Sequence, residues 1–325
     1  MFESLQARLR SIGASLLYPV GVYTASLEEQ AGLVALLRER PGGANWAKLT
    51  DAVLEHGSAA EARSALIGDS GALFHLDAHA KTLDEAKRDI RAWRREGLEF
   101  WTILDPAYPA RVRDIQEAPP FLFARGASLP SDVAVSVVGS RDASDRGIRM
   151  ARVIAETLVE MRVSVVAGLA AGIDTAAHTA ALASGGRTVA VIGTGVNKSY
   201  PAANKDLQQR IATEGLLLSQ FWPDAPPQQH SFPMRNAVMS GYGVATIVVE
   251  AGEHSGARIQ ARLAVHHGRP VILSDLVATR TEWSKQLLTQ PDVYVASSAQ
   301  DVLDLVKQLI DRPAAVSEAL SQIAV

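Results

Sequence analysis

From Val133 onward the chain alternates short β-branched runs with amphipathic stretches: VAVSVVGS, VSVVAGL, TVAVIGTG, LLLSQF, ATIVVEAG and PVILSD, each followed by a helix-like segment. Few folds accommodate this pattern. Apolar runs with no polar alternation are strands buried on both faces. Regular βα succession puts the covering helices on either side of a mostly parallel, doubly wound α/β sheet. Ligands of such sheets bind beyond the carboxyl ends of the strands, where the strand order reverses.

Upstream, the first eighty residues read as short helices around Gly and Pro breaks, including PGG at 41–43, and so as a small helical domain of SAM or helix-hairpin-helix type over 1–80. Thr82 and Glu85 form a capping-box pair that predicts a helix start at Thr82 and a stop at Gly97. A strand LEFWTIL follows, and the proline-rich DPAYPARVRDIQEAPPFLFARGASLPSD is expected to wrap over the surface as far as about Pro130. The α/β domain is placed at 131–312, with a final helix-strand-helix, and a weakly ordered tail at 313–325.

The chain has 325 residues, no cysteine and a net charge of −3. Without cysteine, disulfides, thiolate metal sites and cysteine nucleophiles are excluded. No stretch is long and apolar enough to span a bilayer, and the amphipathic start MFESLQARLRSIG is no signal peptide, so a cytoplasmic protein with no membrane association is expected. The near-neutral charge means that any nucleic-acid site must be a local patch.

Three strand ends run into small, glycine-rich turns: VVGSR with Gly139, Ser140 and Arg141; AGLAAGID with Gly168, Ala170 and Gly172; VIGTG with Gly193 and Gly195. Glycine lets a backbone approach a ligand, and the helix beyond each turn presents unpaired N–H groups suited to phosphate. None is the GxGxxG fingerprint, so no nicotinamide or flavin cofactor is expected. Arg141 can supply a forked phosphate contact, or pair with Asp174. SFPMRNAVMSG brings together a ring, a cation and an amide, Phe232, Arg235 and Asn236, the set that grips single-stranded nucleic acid.

Taken in order, GSR, GLAAGIDTAAH, VIGTGVNKSYPAAN, the serine of LLLSQ, FPMRN and VVEAGEHSG resemble the DprA/Smf family. The resemblance spans about Tyr108 to Leu276. It implies an extended Rossmann-like domain that binds single-stranded DNA in a pocket, a homodimer, and help in loading the recombinase RecA during natural transformation, with no enzymatic activity. It also implies Gly139, Ser140, Arg141, Phe232, Arg235 and Asn236 as DNA contacts, with Ser255 and Gly256 at a further turn. The chain departs from the family pattern at Gln220 for Glu, Ala237 for Arg, Arg258, Ile259 and Gln260 for small residues, and Ser274 and Asp275 for Pro-Gly. One phosphate-binding cation is thus missing, and Arg258 is expected to compensate. The winged-helix domain that ends many members is expected to be absent.

Several residues invite chemistry. His178, one turn after Asp174, is expected to order that turn by a hydrogen bond. Glu250 could act as a base or cap the turn that follows it. His230, His254, His266 and His267 lack the spacing of a zinc site, so no metal is expected. Lys87, Arg88, Arg91, Arg94 and Arg95 form a basic stripe read as a solvated face. Two other readings of the same pocket remain: a nucleotide-ligand sensor or antitoxin-like partner in a toxin or phage-defence pair, and a nucleotide glycosidic-bond hydrolase centred on Glu250.

Overall fold

The computed structural model describes residues 25–67, 76–129 and 131–323, with the side chains of 76–78 and 313–323 excepted. The amphipathic start at 1–13 therefore lies outside the described residues. Two compact units are present. One holds the described residues up to Glu96 with Phe100–Tyr108 and Pro119–Phe121; the other holds Gly97–Glu99, Pro109–Ala118 and the described residues from Leu122 onward.

In the first unit, α1 (Leu27–Glu39), α2 (Trp46–His56), α3 (Ala59–Ile67) and α4 (Leu76–Arg95) follow one another. Ser26 caps α1 by accepting from Glu29 N at 3.2 Å. The Glu29 carboxylate in turn accepts from Ser58 Oγ and Ala59 N, both at 2.7 Å, and so fastens the start of α3 to α1. The Thr82 and Glu85 pair does not start a helix. It lies inside α4, which begins at Leu76, because a local capping signal yields when the surrounding residues already sustain helical pairing. The basic stripe is partly an internal seam: Lys87 pairs with Glu28 at 2.7 Å, and Arg94 donates to Gln30 Oε1 at 2.7 Å.

Among the described residues the sheet has nine strands in the order β1-β2-β6-β5-β4-β3-β7-β8-β9. They are β1 (Glu99–Thr102), β2 (Phe121–Gly126), β3 (Ala134–Gly139), β4 (Ser164–Ala167), β5 (Thr188–Val191), β6 (Leu216–Ser219), β7 (Ala245–Glu250), β8 (Val271–Ser274) and β9 (Val293–Ala296). Strands β3 to β9 pair in parallel, as the β-branched runs predict, and β2 joins β6 antiparallel. From β3 the chain steps to β4, β5 and β6 on one side, then returns to place β7, β8 and β9 on the other, so the order reverses between β3 and β7.

The proline-rich connection does not simply wrap the surface. Its PPFLFARG becomes β2, with Phe121, Leu122, Phe123 and Ala124 fully buried, while the prolines stay outside the paired segment.

Helices α5 (Ala110–Arg113), α6 (Asp145–Glu160), α7 (Ile173–Ala183), α8 (Lys205–Glu214), α9 (Ser231–Tyr242), α10 (Gly256–His266), α11 (Asp275–Ala278), α12 (Glu282–Leu287) and α13 (Ala299–Ile323) accompany the strands. The alanines of α7 (Ala176, Ala177, Ala180 and Ala181) let it lie close against α6, whose Ala151, Ile154, Ala155 and Leu158 share one apolar cluster with Val135, Val137 and Val165. The backbone of α13 is helical past Pro313 as far as Ile323. Among the described residues no helix is long and apolar enough to cross a membrane.

Candidate functional site

The point where the strand order reverses is a cleft of about 580 Å³, a size suited to a small-molecule or nucleotide-sized group. Its walls come from four places, one of them the turn after β4 and the start of α7, with Ala170 and Asp174. The end of β3 brings Gly139, Ser140 and Arg141, α9 brings Phe232, Arg235 and Asn236, and the segment between β7 and α10 brings His254, Ser255 and Gly256. A smaller hollow of about 80 Å³ adjoins it and contains Gly168 and Gly193. Arg141, Ala170, Phe232 and Arg235 line both. Most of the residues singled out in the sequence therefore converge, with Gly172, Gly195 and Arg258 outside the two hollows.

Arg141 is exposed, and its guanidinium carbon sits 5.3 Å from the centroid of the half-buried Phe232 ring, a cation–π contact. No ion pair joins Arg141 to Asp174 or to any other carboxylate among the described residues. The strap that carries it is held at both ends by one residue: Ser140 N donates to Glu250 O at 2.7 Å, and Ser144 N and Oγ donate to Glu250 Oε2 at 3.0 and 2.8 Å. Glu250 thus caps the start of α6 across the sheet. It does not cap the turn that follows it, because β3 and β7 are adjacent and bring Ser144 within reach.

Arg235 is only 5% exposed. Its Nη1 donates to Gly168 O and, at 2.9 Å, to Val191 O, while Nε donates to Asn236 Oδ1 at 3.1 Å. The guanidinium therefore stitches the end of β4 to that of β5. A Cβ on Gly168 would overlap this group, which explains the glycine. Burial lowers the Arg235 pKa, opposed by the neighbouring Asp174.

The amide-rich turn after β4 is already filled by a carboxyl side chain. Asp174 Oδ2 accepts from Gly168 N at 2.9 Å and Ala170 N at 3.3 Å, so these two amides are not open to phosphate. Burial pushes the Asp174 carboxyl up, opposed by Arg235. Ser140 N and Gly195 N are similarly occupied, the latter by Ala225 O at 2.9 Å. Gly172 caps α7 at φ 76°, and any side chain there would meet the carbonyls of Ser140 and Arg141; Gly195 lies against the carbonyls of Trp222 and Pro223. Both are packing glycines. Of the groups in these turns, the Ser140, Gly168, Ala170 and Gly195 amides are thus committed within the fold, while the Arg141 side chain is exposed at the cleft.

His178 does not bond to Asp174. Fully buried, its Nδ1 lies 2.7 Å from Thr188 Oγ1, and burial lowers its pKa to about 3. Arg258 does not replace the missing arginine: its guanidinium turns toward Glu253 O at 3.5 Å, and Ile259 and Gln260 line the cleft instead. Gln260, 1% exposed, bonds to Asn236 O at 2.9 Å and Ser240 N at 3.2 Å, and so holds α9 from the side. Ala237, at the position of the lost cation, is buried. Among the described residues no group of three or more His, Asp or Glu side chains is placed to hold a metal ion.

Tyr200 escaped the sequence reading. It is 43% exposed, lines the smaller hollow, and its ring lies 5.5 Å from that of Phe232, tilted by 46°. Its tie to the site is Asn204, whose Nδ2 donates to Leu169 O at 2.9 Å and Thr175 Oγ1 at 2.8 Å. A tyrosine next to proline directly after a glycine-rich turn was the available signal.

An open α/β sheet whose order reverses beside a cleft lined by an exposed guanidinium and an aromatic ring has the architecture of the doubly wound proteins, which take their ligands at this point. The chain belongs to the DNA recombination-mediator protein A family, the DprA/Smf proteins, whose model matches residues 99–307. It is 40% identical over 206 residues to the DNA processing protein DprA of Streptococcus pneumoniae, covering 62% of this chain and 72% of that protein. It is also 40% identical over 178 residues to the protein Smf of Synechocystis, covering 53% of this chain and 45% of that one. The solved structure of the S. pneumoniae protein superposes with a TM-score of 0.65 at 31% identity, over 87% of this chain and 98% of that one. The DNA processing protein A of Helicobacter pylori, solved for its single-stranded DNA binding mode, shares the fold at a TM-score of 0.56 and 23% identity, over 62% of this chain and 93% of that one.

Proposed function

We propose that this protein binds single-stranded DNA in the cleft between β3, α9 and α10, and serves DNA processing and recombination by holding the strand, without catalysis. The observation that carries the reading is the exposed Arg141 stacked on Phe232 at the point where the strand order reverses. The guanidinium held over the ring takes the phosphate, and the part of the ring left open takes a base. A half-buried ring is reachable by a base in a flexible single strand and not by one paired within a duplex. Two groups that invited chemistry are committed elsewhere: the Glu250 carboxylate caps α6, and the His178 imidazole is sealed in the core. RecA as the receiving recombinase and a homodimer as the working form rest on the family resemblance.

The test is an anisotropy titration of a labelled oligothymidylate at two salt concentrations, with wild type and Arg141→Ala side by side. Wild type is expected to bind single strands more tightly than duplex. The variant is expected to bind more weakly, with a log–log salt slope shallower by about 0.7, the loss of one phosphate contact. Equal affinity and slope for the two proteins would remove the cleft from the reading.

A further inference from the structure

We infer that Tyr200 is a second stacking platform, so that the site grips two neighbouring nucleotides across the Phe232 ring. The inference rests on the single-strand reading above and deepens it. Phe232 and Arg141 form a wall common to the large cleft and the small hollow. At about 80 Å³ the hollow is too small to enclose a nucleotide, since ligand pockets run to roughly 300 Å³ and more, yet its rim carries a large exposed ring. An aromatic side chain left 43% exposed beside a cleft, its ring 5.5 Å from a second ring and tilted to it by 46°, offers apolar surface to a base.

The placement is built in. Asn204 fastens the Tyr200 segment to the turn after β4, and the missing side chain at Gly193 seats the Phe232 ring, whose Cδ1 would lie 2.9 Å from a Cβ there. A base entering the large cleft meets Phe232, and the adjoining base, passing over the rim of the hollow, meets Tyr200. Arg141 reaches the backbone between them. Such a pair of rings requires the two bases to separate, which a single strand allows and a duplex resists.

The experiment compares wild type, Tyr200→Ala, Tyr200→Phe and Arg141→Ala on an oligothymidylate and on an abasic strand of equal length. Loss of one stacked base costs about tenfold in affinity. Tyr200→Ala is therefore expected to bind the oligothymidylate about tenfold more weakly and the abasic strand as wild type does, with the salt slope unchanged. Tyr200→Phe is expected to retain wild-type binding. The inference is overturned if Tyr200→Ala stays within about twofold of wild type on the oligothymidylate, if it loses equally on the abasic strand, or if Tyr200→Phe loses as much as Tyr200→Ala. Weakening by Arg141→Ala alone overturns only the second platform, whereas no binding by wild type overturns both this inference and the reading beneath it.

Discussion

Replacing Arg235 by alanine tests whether this residue is a DNA contact or a structural stitch. Its guanidinium directs three of its five N–H donors to Gly168 O, Val191 O and Asn236 Oδ1, and it lies beside the buried Asp174. Truncation leaves two carbonyls without this donor and a buried carboxylate without its cation, a loss on the order of 3–5 kcal/mol. The penalty has a pH signature. With the cation gone, the Asp174 carboxyl, already raised by burial, rises further above its unfolded value. The folded state then retains a proton that the unfolded state releases, so the variant regains stability as pH falls and loses it as pH rises through the folded pKa. Urea unfolding of wild type and Arg235→Ala at pH 5 and pH 8 should show the gap narrowing at the lower pH. DNA binding by the folded variant should keep the wild-type salt slope. A variant within about 1 kcal/mol of wild type that nonetheless binds DNA with a slope shallower by about 0.7 would refute the reasoning and return Arg235 to the strand.

Two further outcomes follow from the same geometry. Gly193→Ala puts a methyl group 2.9 Å from Phe232 Cδ1, so the ring must shift; oligothymidylate affinity should fall severalfold for about 1–3 kcal/mol of stability, and unchanged affinity would show that the ring position does not matter. His178, lowered by burial from 6.5 to about 3, is neutral in the fold while the unfolded ring takes up a proton. Stability is therefore full above about pH 6.5 and declines toward pH 3, by up to about 1.4 kcal/mol per pH unit, and His178→Asn should flatten that part of the urea-midpoint profile.

The parallel sheet was legible because strands buried on both faces must be apolar throughout, and no other element of this length is. β2 was not, since PPFLFARG sits among prolines that signal a surface connection, and an antiparallel partner such as β6 lies about ninety residues away, beyond any local pattern. At the site, spacing correctly joined Phe232 and Arg235 on one helix but could not show how each is used: both line the cleft, the ring half-buried and the guanidinium bonded to the carbonyls that follow β4 and end β5. The glycine turns were visible as turns. What occupied their amides was not, because Asp174 was read against His178, one turn away, when its partners are the amides of Gly168 and Ala170 on the chain before it.

That carboxylate bears on how the cleft is made ready. By satisfying the Gly168 and Ala170 amides from within, Asp174 gives the turn its shape before any strand arrives. A guest then finds walls already set, and the entropy of ordering that segment is spent during folding, not at each encounter.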